Sequence, residues 1–138
     1  MNEPLATNSS GLSETSLELA TLRGIAEQVA PLTADEERDL GWAVINSNSE
    51  AARERLVQAN LRLVVSAARQ YANRGLAMTD IIEAGKSGLQ RAVSAYDPAL
   101  SARFSTCGTW WIKHAIRSRL FSTVRVQIPS KAVASLAG

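Results

Sequence analysis

The sequence predicts an all-α fold, a compact bundle of about five helices, on three observations. Apolar residues recur at i, i+3 and i+4 through most of the chain, the period of a helix with one buried face. Capping residues and breakers (Thr33, Pro31, Gly75, Asp97-Pro98) separate these stretches at helix-length intervals. Strand-like alternation of useful length and internal repeats are both missing. With 138 residues, the chain is one domain or one domain with a tail, and its 46% hydrophobic content suffices for a core of ordinary density.

Taken in order, residues 1–12 are rich in Asn, Ser, Pro and Gly and read as a flexible leader. The first helix is expected from about Ser13 to Ala30, with Leu17, Leu19, Leu22, Ile25 and Val29 as its apolar positions and Pro31 as its stop. Thr33 and Glu36 form a capping-box pair for a second helix that ends in the polar cluster at 46–49. The third is the longest, from about Glu50 to Asn73, with Gly75 ending it; Leu56, Asn60, Leu63, Val64, Ala67, Ala68 and Tyr71 mark its inner face. Thr79 is expected to cap the fourth, whose stripe runs Ile81, Ile82, Gly85, Leu89, Ala92, Val93 and Tyr96. Gly85 and Gly88 each cost about 1 kcal/mol of helix propensity against Ala, so two of them in one helix imply that another backbone approaches closely. The fifth helix is expected to start at Ser105 or Thr106 and run to about Ser122. Gly108, Ile112, Ala115, Ile116 and Leu120 form its inner face, and Trp110, Lys113, His114 and Arg117 share the opposite one.

That last helix carries the functional signal. Neighbouring helix positions lie about 100° apart, so Trp110 and Trp111 cannot share one buried face. An indole turned outward beside cations suits a nucleic acid base and its phosphates. Charge is distributed to match. Residues 1–97 hold nine Lys/Arg against all 13 acids, net −4, whereas residues 98–138 hold six Lys/Arg and no acid, net +6. A basic end on an acidic body points to a polyanion at one end only.

Other classes are excluded or unsupported. The single Cys107 cannot form an intramolecular disulfide or a Cys-rich zinc site, and the single His114 cannot form a His-pair metal motif. No apolar run approaches the roughly 20 residues that cross a bilayer, and the N-terminus lacks the order of a signal peptide. The expected compartment is a reducing cytoplasm, with no membrane partner. Without a phosphate-cradling Gly loop, a metal cluster or a nucleophile–base pair, the chain is expected to be no enzyme, with no cofactor and no small-molecule substrate.

Four segments in register then resemble a known family, the bacterial housekeeping-type RNA polymerase sigma factors: L-T-A-D-E-E-R-D-L (32–40), A-R-E-R-L-V-Q-A-N-L-R-L-V-V-S (52–66), the N-R-G-L…D-I-I-E-A-G…G-L stretch (73–89) and F-S-T…W-W-I-K-H-A-I (104–116). The resemblance divides the chain into a leader at 1–12, N-terminal helices at 13–48, a helical promoter-melting domain at 49–129 and a tail at 130–138. It implies docking on the clamp coiled coil of core RNA polymerase through Asp80, Ile81, Glu83 and Lys86. It further implies capture of the non-template strand of a promoter −10 element, consensus TATAAT. Trp110 and Trp111 would hold the edge of the opened duplex, and Lys113, His114 and Arg117 the upstream duplex. Asn60, Arg62, Leu63 and Ser105 would receive the last thymine, with Phe104 and Arg103 beside the strand. The sequence also departs from the pattern. The family's stacking Tyr is Cys107, an aromatic is Ala102, an Arg-Arg-Gly is Ala99-Leu100-Ser101, and Lys86 reverses a local charge in the docking motif. Two alternatives follow: a degenerate sigma-like protein that binds core polymerase without efficient melting, or a single-strand DNA-binding module with altered motif preference.

Overall fold

A computed structural model describes residues 10–127, and among them six α-helices and no strand. They are α1 (Ser10–Glu27), α2 (Ala34–Ser47), α3 (Glu50–Ala59), α4 (Leu61–Tyr71), α5 (Met78–Ala95) and α6 (Phe104–Gln127). The all-α expectation holds, with one helix more than expected. Residues 1–9 of the expected leader and the whole 130–138 tail lie outside the described residues, and α1 already begins at Ser10.

The α2 start is the one the sequence encodes. Thr33 N–H donates to Glu36 Oε1 at 2.9 Å, and Glu36 N–H donates to Thr33 Oγ1 at 3.1 Å. Its end is equally local. Asn48 adopts a left-handed conformation (φ 49°), and the N–H groups of Asn48 and Ser49 reach back to the carbonyls of Val44 and Ala43. Ser49 then caps α3 by accepting from Ala52 N–H at 3.1 Å.

The expected long third helix is two helices, and Asn60 is the cause. In a continuous helix its backbone N–H would bond to the Leu56 carbonyl. Its side-chain amide takes that carbonyl instead, at 2.8 Å, and the backbone N–H moves to Val57 O at 3.0 Å. The break also re-phases the buried face. Ala59, Asn60 and Leu61 are buried in succession, which one straight helix with a single inner face cannot achieve. The α4–α5 connection turns through two positive-φ residues, Asn73 (64°) and Gly75 (98°).

Thr79 does not cap α5. The helix begins at Met78 with Ala77 at the cap position, and the Thr79 hydroxyl donates across to Glu18 Oε2 of α1 at 2.6 Å. The core forms around α5. Ile81 and Leu89 are fully buried and meet Leu56 and Val64 from α3 and α4 and Ile112 and Ile116 from α6. Each such side chain contributes about 1.5–3 kcal/mol when fully buried. The expected backbone approach is found at Gly88, whereas Gly85 meets the Val64 side chain. A Cβ added at Gly88 would stand 2.5 Å from the Trp111 carbonyl oxygen and 2.9 Å from Ile112 Cα. The backbones of α5 and α6 therefore touch at Gly88, directly behind the tryptophan pair.

Candidate nucleic-acid interface

Helix α6 starts one residue earlier than expected because its first N–H is satisfied from another element. Glu37 of α2 is buried, and its Oε1 accepts from Phe104 N–H at 3.2 Å. The same carboxylate accepts from Arg103 Nε (2.8 Å) and one terminal nitrogen (3.0 Å), and that nitrogen also donates to Leu32 O at 3.1 Å. The hydrogen bond with Glu37 raises the Arg103 pKa above its ordinary value. A negative group at a helix N-terminus also complements the helix dipole. Glu37 thus ties α2 to the start of α6.

From this start the two faces of α6 separate as expected. Gly108, Ile112 and Ile116 are buried, with Ala115 and Leu120 half-buried. On the other side Trp110 is 55% exposed. Its ring stacks on His114, one turn further on, with centroids 4.8 Å apart and planes within 10°. Trp111 is half-buried and meets Trp110 edge-on, at 5.1 Å and 80°. His114 and Arg117 are exposed and Lys113 is half-buried. An outward aromatic stack with cations a turn away is able to accept an unstacked base and the phosphates beside it. Beside the half-buried Trp111, a shallow groove is lined by Ser87, Arg91 and Ser94 of α5.

The remaining expected positions divide. Ser105 and Arg62 are exposed and Leu63 is half-buried, its Cδ1 lying 3.1 Å from where a Cβ on Gly108 would be. Phe104 lies on the inner side. It is fully buried, edge-on to Tyr96 at 5.2 Å, because the first turn of α6 points into the core between α2 and α5. It supports the first turn of α6 from beneath. Asn60 is buried too, and its side-chain amide donates to Leu56 O. Arg103 keeps exposed surface, but its guanidinium is held by Glu37.

Cys107 sits where the resemblance places a stacking aromatic. It is half-buried, with Sγ 3.7 Å from Ala92 O, and burial raises its thiol pKa, so it is a protonated packing residue of the α5–α6 contact. Two features carried no signal of their own in the sequence. Glu37 is one, lying beside the capping-box Glu36. The other is a groove in which Arg62, Ser66 and Arg69 of α4 join Arg23 of α1.

In the expected docking set, Asp80 is half-exposed and pairs with Arg119 of α6 at 3.6 Å. Glu83 and Lys86 are exposed. Ile81 is fully buried on the inner face of α5. Among the described residues, no group of three or more His, Cys, Asp or Glu side chains is placed to hold a metal ion, and no helix is long and apolar enough to cross a membrane.

Comparison with known proteins completes the description. The profile of the family described as Sigma-70 region 2 matches residues 56–126, which spans α4, α5 and nearly all of α6. The chain is also similar to an RNA polymerase sigma factor SigA from a Bacillus species, 43% identical over 103 residues. That match covers 74% of this chain and 27% of the relative, so the chain spans about a quarter of that protein's length.

Proposed function

Starting from the chain's membership of the Sigma-70 region 2 family, we propose that it serves transcription initiation by binding core RNA polymerase and recognising a −10-type promoter element as non-template single strand. It acts by binding, and the chemistry of RNA synthesis belongs to the polymerase. The observation that carries this reading is the exposed Trp110 stack, with His114 behind it and Lys113 and Arg117 alongside. Trp110 and Trp111 replace the stacking lost at the edge of the opened duplex, worth about 1–3 kcal/mol per base. Lys113, His114 and Arg117 hold the upstream duplex. Ser105, Arg62 and the edge of Leu63 face the downstream end of the element, with Ser66 and Arg69 continuing a polar, cationic track for its phosphates. Asp80, Glu83 and Lys86 form the polymerase contact.

The test is binding of a labelled single-stranded TATAAT-type oligonucleotide, with a scrambled oligonucleotide and Trp110→Ala as controls, beside binding of purified core polymerase. Preference for the TATAAT-type strand that disappears in Trp110→Ala is the expected result. Equal affinity in every combination removes the DNA reading.

One observation favours a second reading. Cys107 turns its sulfur towards Ala92 O where the family stacks an aromatic, and Phe104 is sealed in the core. A base flipped into such a site gains less stacking to offset a cost of a few kcal/mol. The chain would then bind core polymerase and open DNA poorly. Permanganate reactivity of promoter thymines with the reconstituted complex separates the two: modified thymines favour the first reading, and unmodified thymines with intact core binding favour the second.

A further inference from the structure

Helix α1 has two apolar sides. Leu22 is buried in the core and Leu19 packs half-buried against it. Leu17 and Ile25, separated by two turns on the outer side, are 67% and 49% exposed. Thr21 lies between them at i+4. A helix whose only task was to cover α4 and α5 would carry polar groups at these outer positions. The outer stripe is also not isolated. Leu17, Thr21 and Ile25 form one wall of a groove of about 430 Å³, and Ile82, Glu83 and Lys86 of α5 form the other. Thr79–Glu18, at 2.6 Å, pins the two walls together at one end. Two of the four α5 residues that line this groove, Glu83 and Lys86, belong to the docking set, so the apolar stripe adjoins the proposed polymerase contact.

We propose that α1 is a second wall of the polymerase-docking surface: a helix of core polymerase lies in the groove between α1 and α5, with Leu17 and Ile25 covering its apolar side. This rests on the docking reading of Asp80, Glu83 and Lys86. The chemistry of the partner segment follows from the rim. Glu18 and Glu83 against Lys86 leave the groove net negative, so the helix that fits it carries an apolar stripe flanked by basic side chains. Lys86 breaks the acidic rim and faces an acidic or polar position of that helix.

The experiment measures the affinity of purified core RNA polymerase for the whole chain, labelled with a fluorophore, and for three variants. Leu17→Ser with Ile25→Ser tests the new wall, and Asp80→Ala tests the docking reading itself. Trp42→Ser with Ile45→Ser removes two exposed apolar side chains of α2 that lie away from the groove. The expected result is a Kd weakened about tenfold or more by the α1 pair and within about twofold of the original for the α2 pair. If the α1 pair stays within twofold while Asp80→Ala weakens binding, the second wall is wrong and the docking reading stands. If Asp80→Ala and the α1 pair are both without effect, or the original chain does not bind, both are wrong. Equal weakening by the α1 and α2 pairs also overturns the proposal. A photocrosslinker placed at position 17, and at position 45 as control, decides the matter independently of variant stability. Crosslinking to polymerase from 17 alone supports the second wall, and its absence from 17 overturns it.

Discussion

Trp110 holds one ring face against His114 and an edge towards Trp111, and still leaves more than half its surface open. Replacing it therefore removes little from the folded state and much from the interface. Trp110→Ala is expected to weaken single-strand binding by about 1–3 kcal/mol, with almost no change in Tm. Fluorescence titration and thermal melting check the two halves of that statement. Glu37 is the opposite case: it is buried and holds the start of α6. Glu37→Ala leaves the Phe104 N–H without its acceptor, a loss of about 1–3 kcal/mol, and frees the first turn of α6. Denaturant unfolding should show the lower stability, and amide exchange at the first turn of α6 should rise. Cys107 gives a pH prediction. Burial raises its thiol pKa, so the folded state favours the protonated form; this contribution is complete below the ordinary thiol range and is lost as pH rises through the raised value. Tyr96 shifts the same way, first through burial and then through nearby Glu37. Alkylation of Cys107 by iodoacetamide should reach half its maximal rate at a higher pH than a free cysteine does, and the fold should weaken in alkali rather than near neutrality.

At the scale of elements, the α5–α6 contact fixes where the tryptophans stand, and Gly88 sets its distance. Gly88→Ala forces a methyl into the backbone of Trp111 and Ile112, and neither is a flexible side-chain end that could yield. The expected cost is about 1–3 kcal/mol or more despite the gain in helix propensity, with changed tryptophan fluorescence reporting displacement of α6. This close approach was legible in the sequence because two glycines in one amphipathic helix are otherwise unfavourable. The capping box at Thr33 and the division of α6 into inner and outer faces were legible for the same reason: each depends on residues within a turn of one another. The break at Asn60 was not, because the apolar period continues across it, and only the side-chain bond to Leu56 O reveals that two helices meet there. The cap on α6 was hidden too. Ser105 and Thr106 are the residue types that cap locally, but the acceptor comes from Glu37, 67 residues away. Thr79 misled for a related reason, since its hydroxyl is engaged by α1. Local chemistry reads from sequence; partners brought together by packing do not.

Across the whole molecule, charge is divided along the chain, and the fold decides which cations act together. Arg103 and Arg119 belong to the basic end but are paired internally with Glu37 and Asp80. Arg62 and Arg69 belong to the acidic portion, yet they line a groove together with Arg23. The cations proposed to meet phosphate are therefore Lys113 and Arg117 on α6 with Arg62 and Arg69 on α4, a set that spans both portions of the sequence. On a forked oligonucleotide, two phosphate contacts to the upstream duplex at roughly −0.9 each and two to the single strand at roughly −0.7 each imply a slope of about −3 in a plot of log affinity against log salt. Between 50 and 200 mM salt this amounts to a loss of nearly two orders of magnitude. On that fork Arg117→Ala should make the slope shallower by about 0.9 and Arg69→Ala by about 0.7, whereas Trp110→Ala should lower affinity at every salt concentration without changing it. Oligonucleotide titrations at four or five salt concentrations measure all three. A flat salt response in the unsubstituted chain would mean that these side chains do not meet phosphate, and a slope altered by Trp110→Ala but not by Arg117→Ala would reverse the roles assigned to the stack and to the cations.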